Sequence, residues 1–210
     1  RMYFPPEGLA KPEWPRPAPD GRVLWPEPER RPATRYYTIR RIDAHSHEID
    51  VDFVLHEHAG PGSDFALKAR PGAICGMAGP LGRGIRPAEW FLLAGDETAL
   101  PAIARILENL PVTACGKVFI EIANHREELP LVAPRGISIR WLHRGNALAG
   151  STQLLADAIN TVRWPDHREI FAWVAAEAQV VQAVRKYLRD THHLSREQHL
   201  AVAYWSLPQP

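Results

Sequence analysis

The sequence predicts a two-domain α+β protein: an antiparallel β-barrel domain lacking its first strands over residues 1–87, then a parallel α/β domain over residues 88–210. Three observations carry this. The first part holds short strand-like runs separated by proline and glycine turns, with little helical period. From residue 88 short apolar strands alternate with helical stretches, the pattern of a parallel sheet covered on both faces. The chain also opens on RMYFPP, a strand with no neighbour ahead of it, so it reads as the later part of a longer chain.

The totals agree. At 210 residues the chain accommodates two small domains or one large one, and its 45% apolar content suffices for a core. A formal net charge of +1 argues against a nucleic-acid partner, which calls for a strong basic excess. No apolar run approaches the roughly 18 residues of a transmembrane helix, and the start has no signal-peptide pattern. Cys75 and Cys115 lie in different segments without metal-ligand spacing, and read as reduced, mostly buried thiols of a cytosolic protein.

In order, residues 1–8 form a strand ending at Pro5-Pro6. Residues 9–32 are a proline-rich connection that Trp14, Val23, Leu24 and Trp25 pin to a surface. A strand follows through Tyr36 to Ile42, then a turn near His45 to Glu48 and a strand EIDVDFVLHE. There Ile49, Val51, Phe53 and Leu55 face one way, and Asp50, Asp52, Val54 and His56 the other. Gly60-Pro61-Gly62 turns into a helix from Asp64 to Ala69 capped by Ser63, and residues 73–79 form a further strand. In the second part EWFLLAGDETALPAIARILENL is a buried strand, tight turn and helix. KVFIEIANH and ISIRWLHR are strands and TQLLADAINTV a helix. REIFAWVAAEAQVVQAVRKYLRDTH is a strand and long helix, and HLAVAYWS the last strand.

RYYT (Arg35 to Thr38), VDFVLHEHAGPGSDFA, AGDETALPAI, FAWVAAEAQVVQAVRKYL and AYW occur collinearly over nearly the whole chain. Together they resemble the siderophore-interacting proteins, flavin-dependent ferric-siderophore reductases of the ferredoxin-reductase-like superfamily. The resemblance implies a barrel domain that binds FAD, with further strands ahead of Arg1, and an α/β domain that binds NADPH or NADH. It implies a cytoplasmic enzyme that reduces Fe(III) in a ferric siderophore and releases Fe(II). A ferredoxin-reductase-like electron carrier serving a protein or free flavin, and a non-catalytic flavin- or chelate-binding module, stay open as alternatives.

The residues suit that chemistry. A flavin needs an aromatic face, donors at its ring edge and cations near its pyrophosphate. Arg35 offers a bidentate cation, Tyr37 a stacking ring with Tyr36 on the opposite face, and Thr38 a donor near the ring. Gly62 and Ser63, in GPGSDFA with Ala66, present a helix N-terminus to a pyrophosphate, with Asp64 turned away. Asp52, Val54 and His56 of the preceding strand complete the flavin set, His56 reaching the ribityl or phosphate. His56 and His58 share a strand face but lack a third ligand, so no metal is expected; His45, His47, His192, His193 and His199 read as surface residues.

No GxGxxG marks the nicotinamide half. Asp96, Thr98 and Ala99 lie where the first parallel strand meets its helix, Thr98 serving equally as a cap, and ligands bind at such strand ends. Trp173 and Glu177 flank the small residues of WVAAEA, which let a dinucleotide approach the backbone. Glu121 suits a ribose diol, and His125, Arg126 and Arg144 favour NADPH over NADH. Tyr204 and Trp205 meet the flavin or nicotinamide. Arg40 and Arg86, among Arg41, Lys68, Arg70 and Arg83, are the candidates for an anionic ferric chelate.

Overall fold

The structure, a computed structural model, describes residues 1–9, 11–55, 60–79, 82–166 and 169–208. It divides into two compact units, Arg1–Arg83 and Gly84–Pro210. The two-part α+β architecture is the one expected: antiparallel strands come first and a parallel sheet second.

The first unit contains β1 (Met2–Phe4), β2 (Arg16–Pro17), β3 (Val23–Leu24), β4 (Ala33–Arg35), β5 (Arg41–Asp43), β6 (Glu48–Asp50), α1 (Pro61–Lys68) and β7 (Gly76–Met77). β1 is buried along its length and lies antiparallel between β4 and β7. β2–β3 and β5–β6 are separate two-stranded hairpins. Trp14 and Trp25 do anchor the proline-rich connection. A Cβ on Gly76 would lie 2.7 Å from the Trp14 ring, and Trp25 meets Tyr3 edge-on at 6.2 Å. Val23 and Leu24 do not help: they pair with Pro17 and Arg16 and stay exposed.

The strands are shorter than the sequence patterns. Arg35 ends β4 opposite Met2, residues 36–40 leave the ladder, and pairing resumes at Arg41. The cause is aromatic packing. Tyr37 turns inward onto Phe53, ring centroids 4.5 Å apart, and onto Phe4 at 6.2 Å, while Tyr36 is 67% exposed. Among the described residues of EIDVDFVLHE only Glu48–Asp50 is strand, and Ile49 and Leu55 are exposed instead of lining an apolar face. That hairpin is closed by charge and turn chemistry. Arg41 donates to Asp50 at 2.6 Å, and the Asp43 carboxylate accepts from the His45 and Ser46 amides at 2.9 and 3.2 Å. The short helix starts at Pro61, with Gly60 in the N-cap position. Ser63 lies within it and donates its hydroxyl to the Val54 carbonyl at 3.1 Å instead of capping.

The second unit contains β8 (Trp90–Asp96), α2 (Leu100–Asn109), β9 (Cys115–Ile122), β10 (Gly136–His143), α3 (Leu154–Asn160), β11 (Ile170–Glu177), α4 (Ala178–Asp190) and β12 (His199–Trp205). The sheet order is β10-β9-β8-β11-β12, all parallel. Side-chain alternation divides the core. Phe91 and Leu93 of β8 pack with Ile103 and Leu107 of α2 on one face, while Leu92 and Ala94 pack with Leu155, Ile159, Val181 and Leu188 of α3 and α4 on the other. α4 is capped by Glu177, whose carboxylate accepts from the Gln179 amide at 2.6 Å. His192, expected at the surface, is half-buried beside Trp164 at 4.4 Å and bonds the Tyr187 hydroxyl at 2.8 Å. Burial there pushes its pKa below the ordinary histidine value.

Gly95 fixes how closely α2 approaches the sheet. A Cβ there would fall 2.4 Å from the Ala99 methyl and 2.5 Å from the Ala175 carbonyl oxygen. Gly95→Ala should therefore lower stability by about 1–3 kcal/mol, read from urea unfolding monitored by tryptophan fluorescence.

Candidate functional sites at a helix start and at a sheet edge

The first unit brings a cation close to a helix start, which makes a candidate anion site. Pro61 begins α1, so its missing N–H costs nothing there, and the positive end of the helix dipole lies at Gly60, while Gly62 and Ser63 of the first turn are buried. Arg35, at the end of β4, brings a guanidinium nitrogen to 3.9 Å from where a Cβ on Gly60 would stand. Arg35 is exposed, and one of its nitrogens donates to the Thr34 carbonyl, which steadies the fork. Gly62 is buried under Tyr37: an added Cβ would lie 1.9 Å from the tyrosine hydroxyl. Asp64 is half-buried and lies 3.8 Å from Lys68 one turn on, toward the far end of the helix.

Other predicted positions around this site fare unequally. Tyr37, expected to stack on a ligand, is spent on the Phe4–Phe53 cluster, and burial raises its pKa. Tyr36 is the ring left exposed, with Arg1 over it at 5.1 Å. Thr38 and Val54 are half-buried, and Asp52 and Ala66 are exposed. His56 and His58 lie outside the described residues. Among the described residues, no group of three or more His, Cys, Asp or Glu side chains is placed to hold a metal. Arg40 is half-buried with its amide on the Asp50 carbonyl. Lys68 is held by Glu7 at 3.0 Å. In the second unit Arg86 lies 3.5 Å from Glu197.

The carboxyl edge of the parallel sheet carries the other constellation. Asp96 ends β8, Glu121 stands opposite it in register on β9, and Glu177 ends β11. All three are nearly fully buried, at 4%, 3% and 2% exposure, so each needs donors. Asp96 uses both oxygens internally: Oδ1 accepts from the Thr98 amide at 3.0 Å and from its hydroxyl, and Oδ2 from the Trp205 indole at 2.7 Å. Thr98 therefore serves the turn, and Ala99, fully buried, is the N-cap of α2. Glu177 Oε1 accepts from the Leu207 amide at 3.2 Å, which ties the segment after β12 to the sheet. Trp173 is core, packed edge-on against the more exposed Tyr204 at 6.2 Å.

Glu121 differs from its neighbours. Its Oε2 accepts from the Thr152 hydroxyl at 2.9 Å, and Oε1 has no donor among the described residues. Burial holds the carboxyl pKa above the usual carboxylate range, as it does for Asp96. Arg144, just after β10, gives both terminal nitrogens to the Glu97 carboxylate. Burial alone would lower its pKa, but Glu97 more than offsets this, so the guanidinium stays charged. This pairing was not legible in the sequence: Glu97 follows β8 and Arg144 follows β10, with β9 between those strands. Gly150 and Thr152 were also missed. Gly150, in left-handed conformation at φ 74°, lies against Glu177 and Trp205: its Cβ would come within 2.8 and 2.9 Å of them.

A raised folded-state pKa means that the folded protein holds the Glu121 proton at pH values where the unfolded chain has lost it. This contribution is fully present below the unfolded value, about 4.3, and is lost as pH rises to the folded value. Glu121→Gln should flatten the fall in stability across that window, measured by urea unfolding at a series of pH values.

Comparison with known proteins places both halves. Residues 1–84 match the model of the siderophore-interacting FAD-binding domain, and residues 88–208 that of the siderophore-interacting protein. The ferric vibriobactin reductase ViuB of Vibrio cholerae is 40% identical over 187 residues, covering 88% of this chain and 68% of ViuB. A siderophore utilization protein from T. fusca superposes with a TM-score of 0.86 at 35% identity, over 98% of this chain and 77% of that one. The siderophore-interacting protein SipS of Aeromonas hydrophila does so at 0.81 and 29%, over 98% and 82%.

Proposed function

The chain belongs to the siderophore-interacting protein family, and we propose that it is a cytoplasmic FAD-dependent reductase that uses a reduced nicotinamide dinucleotide to convert Fe(III) in a siderophore to Fe(II). The observation that carries this reading is the Arg35 guanidinium beside the N-terminus of α1, in the unit that matches the FAD-binding domain. A flavin dinucleotide brings a pyrophosphate, and a helix start with an exposed arginine is chemically suited to it. Gly60 leaves room for a phosphate to come near the backbone beside Arg35, whereas Gly62 is closed off by the Tyr37 hydroxyl. ViuB, named for reduction of ferric vibriobactin, gives the substrate class. Among the described residues no helix is long and apolar enough to cross a membrane.

Bound FAD supplies a ring that accepts a hydride and returns single electrons. The chain's own residues bind and orient. Arg35 and the α1 amides hold the phosphates, and exposed Tyr36 offers an aromatic face near them in sequence. Thr38, Asp52, Val54, His56, Ser63 and Ala66 belong to the same proposed flavin set. The carboxyl edge of the parallel sheet holds the nicotinamide dinucleotide, where strand ends leave a crevice. There Glu121 accepts from a ribose hydroxyl, and Asp96, Thr98, Glu177 and Trp205 hold the crevice walls in place. Arg40 and Arg86 remain the proposed cations for the anionic chelate. Fe(II) carries less charge than Fe(III) and is held less tightly by hard oxygen donors, so reduction favours release.

The test is a visible spectrum of the protein reconstituted with FAD, repeated under anaerobic NADH or NADPH and again after a ferric catecholate. Flavin bands that bleach with nicotinamide and return with the chelate are the expected result. Bands that return only with a ferredoxin or cytochrome would favour an electron carrier, and failure to take up FAD would overturn the reading. Arg35→Ala should weaken FAD binding about tenfold or more without changing the fold.

A further inference from the structure

We infer that the carboxyl edge of the sheet selects a dinucleotide whose adenosine ribose carries a free 2′-hydroxyl, that is NADH, and discriminates against the 2′-phosphate of NADPH. This rests on the reading of that edge as the nicotinamide-dinucleotide site.

The argument begins with the arginine that the sequence offers for a 2′-phosphate. Arg144 follows β10, but its guanidinium fork is bidentate on Glu97, with side-chain exposures of 8% and 16%. Both terminal nitrogens of the fork are engaged by a carboxylate that neutralises its charge, so the edge that would grip phosphate oxygens bidentately is taken, and release would strand two largely buried charges. Glu121 ends the neighbouring strand β9 with the opposite character. It is 3% exposed, its Oε2 is fixed by Thr152, and Oε1 is without a donor among the described residues. Oε1 is not sealed off, since among the described residues the Trp164 indole nitrogen is the fully buried side-chain polar atom left without a partner. A carboxylate oxygen that reaches the surface without a donor suits a ribose hydroxyl, which donates, and opposes a phosphate, which at neutral pH only accepts and is anionic.

The local charge points the same way. Arg144 faces Glu97, Glu121 and Glu127, and Asp96 stands in register with Glu121. The remaining cations beyond β9 are His125 and Arg126, both exposed and next to Glu127 and Glu128, and Glu128 is itself paired with His143 at 2.8 Å. Buried acids therefore set the potential at the strand ends, and the exposed cations lie in a screened loop. NADH needs only the acceptor, whereas NADPH would have to recruit Arg144 from Glu97.

The test is calorimetric titration of the FAD-loaded protein with ADP-ribose and with 2′-phospho-ADP-ribose, a readout independent of turnover. The wild type should bind ADP-ribose about tenfold more tightly, the factor expected for one hydrogen bond to a charged acceptor. Glu121→Gln should bring the ratio toward one, and Glu97→Gln, which frees Arg144, should move it toward the phosphorylated probe. Wild-type binding of 2′-phospho-ADP-ribose as tight as, or tighter than, that of ADP-ribose overturns the inference. Flavin bleaching by NADPH would in that case leave the reductase reading standing. Binding of neither probe also overturns it, and bleaching by neither nicotinamide would then remove the nicotinamide half of the proposed function as well. Ratios unchanged in both variants would show that Glu121 and the Glu97–Arg144 pair do not discriminate.

Discussion

β8 and β11 are sealed on both faces along their whole length, and this confinement dictates what happens where they emerge. Within the strands every side chain from Phe91 to Gly95 and from Phe171 to Ala176 is buried, so polar groups are confined to the ends. At those ends Asp96 and Glu177 are buried as well, and a buried carboxylate is tolerated only with donors around it. The donors come from the connections: Thr98 from the turn into α2, Gln179 from the start of α4, Trp205 and Leu207 from the end of β12 and beyond. The acids thereby become the anchors of the loops that line the crevice. Gly150 follows from the same crowding, since only a residue without a side chain fits over Glu177 and Trp205.

Among these acids the division of labour is electrostatic. Asp96 and Glu177 spend both oxygens within the protein, Glu97 is neutralised by Arg144, and Glu121 keeps one oxygen uncommitted. Among these carboxylates Glu121 is the one with an oxygen that accepts nothing from the described residues, so a new donor meets least competition there. Two carboxylates thus stand in register on adjacent strands, and they differ in how many donors the surrounding chain supplies: Asp96 has donors on both oxygens and Glu121 on one.

The first unit solves a different problem with short elements. It has little regular sheet around β1, and the aromatic cluster of Phe4, Tyr37, Phe53 and Phe65 does the packing instead. Drawing Tyr37 inward takes residues 36–40 out of the ladder and leaves Tyr36 exposed under Arg1 and Arg35 exposed beside the start of α1. An exposed cation and a helix N-terminus are thereby brought together as one phenol packs inward.

By itself the sequence determined the order and type of the elements in the second unit, because runs such as WFLLAGD and IFAWVAAE are too apolar for anything but a doubly covered parallel strand. It also placed acidic residues at the ends of those strands, where Asp96, Glu121 and Glu177 interrupt the apolar runs. It could not set the extent of the first-unit strands, because β pairing there depends on partners distant in the chain: Met2 is opposite Arg35 on one side and Met77 on the other. Nor could it show which polar residues were already spent. Arg144 meets Glu97 across 47 residues and Trp205 meets Asp96 across 109, and no local pattern encodes such pairs. Residue type follows from the chain alone, whereas the availability of a charge depends on neighbours that only tertiary folding brings within hydrogen-bonding distance.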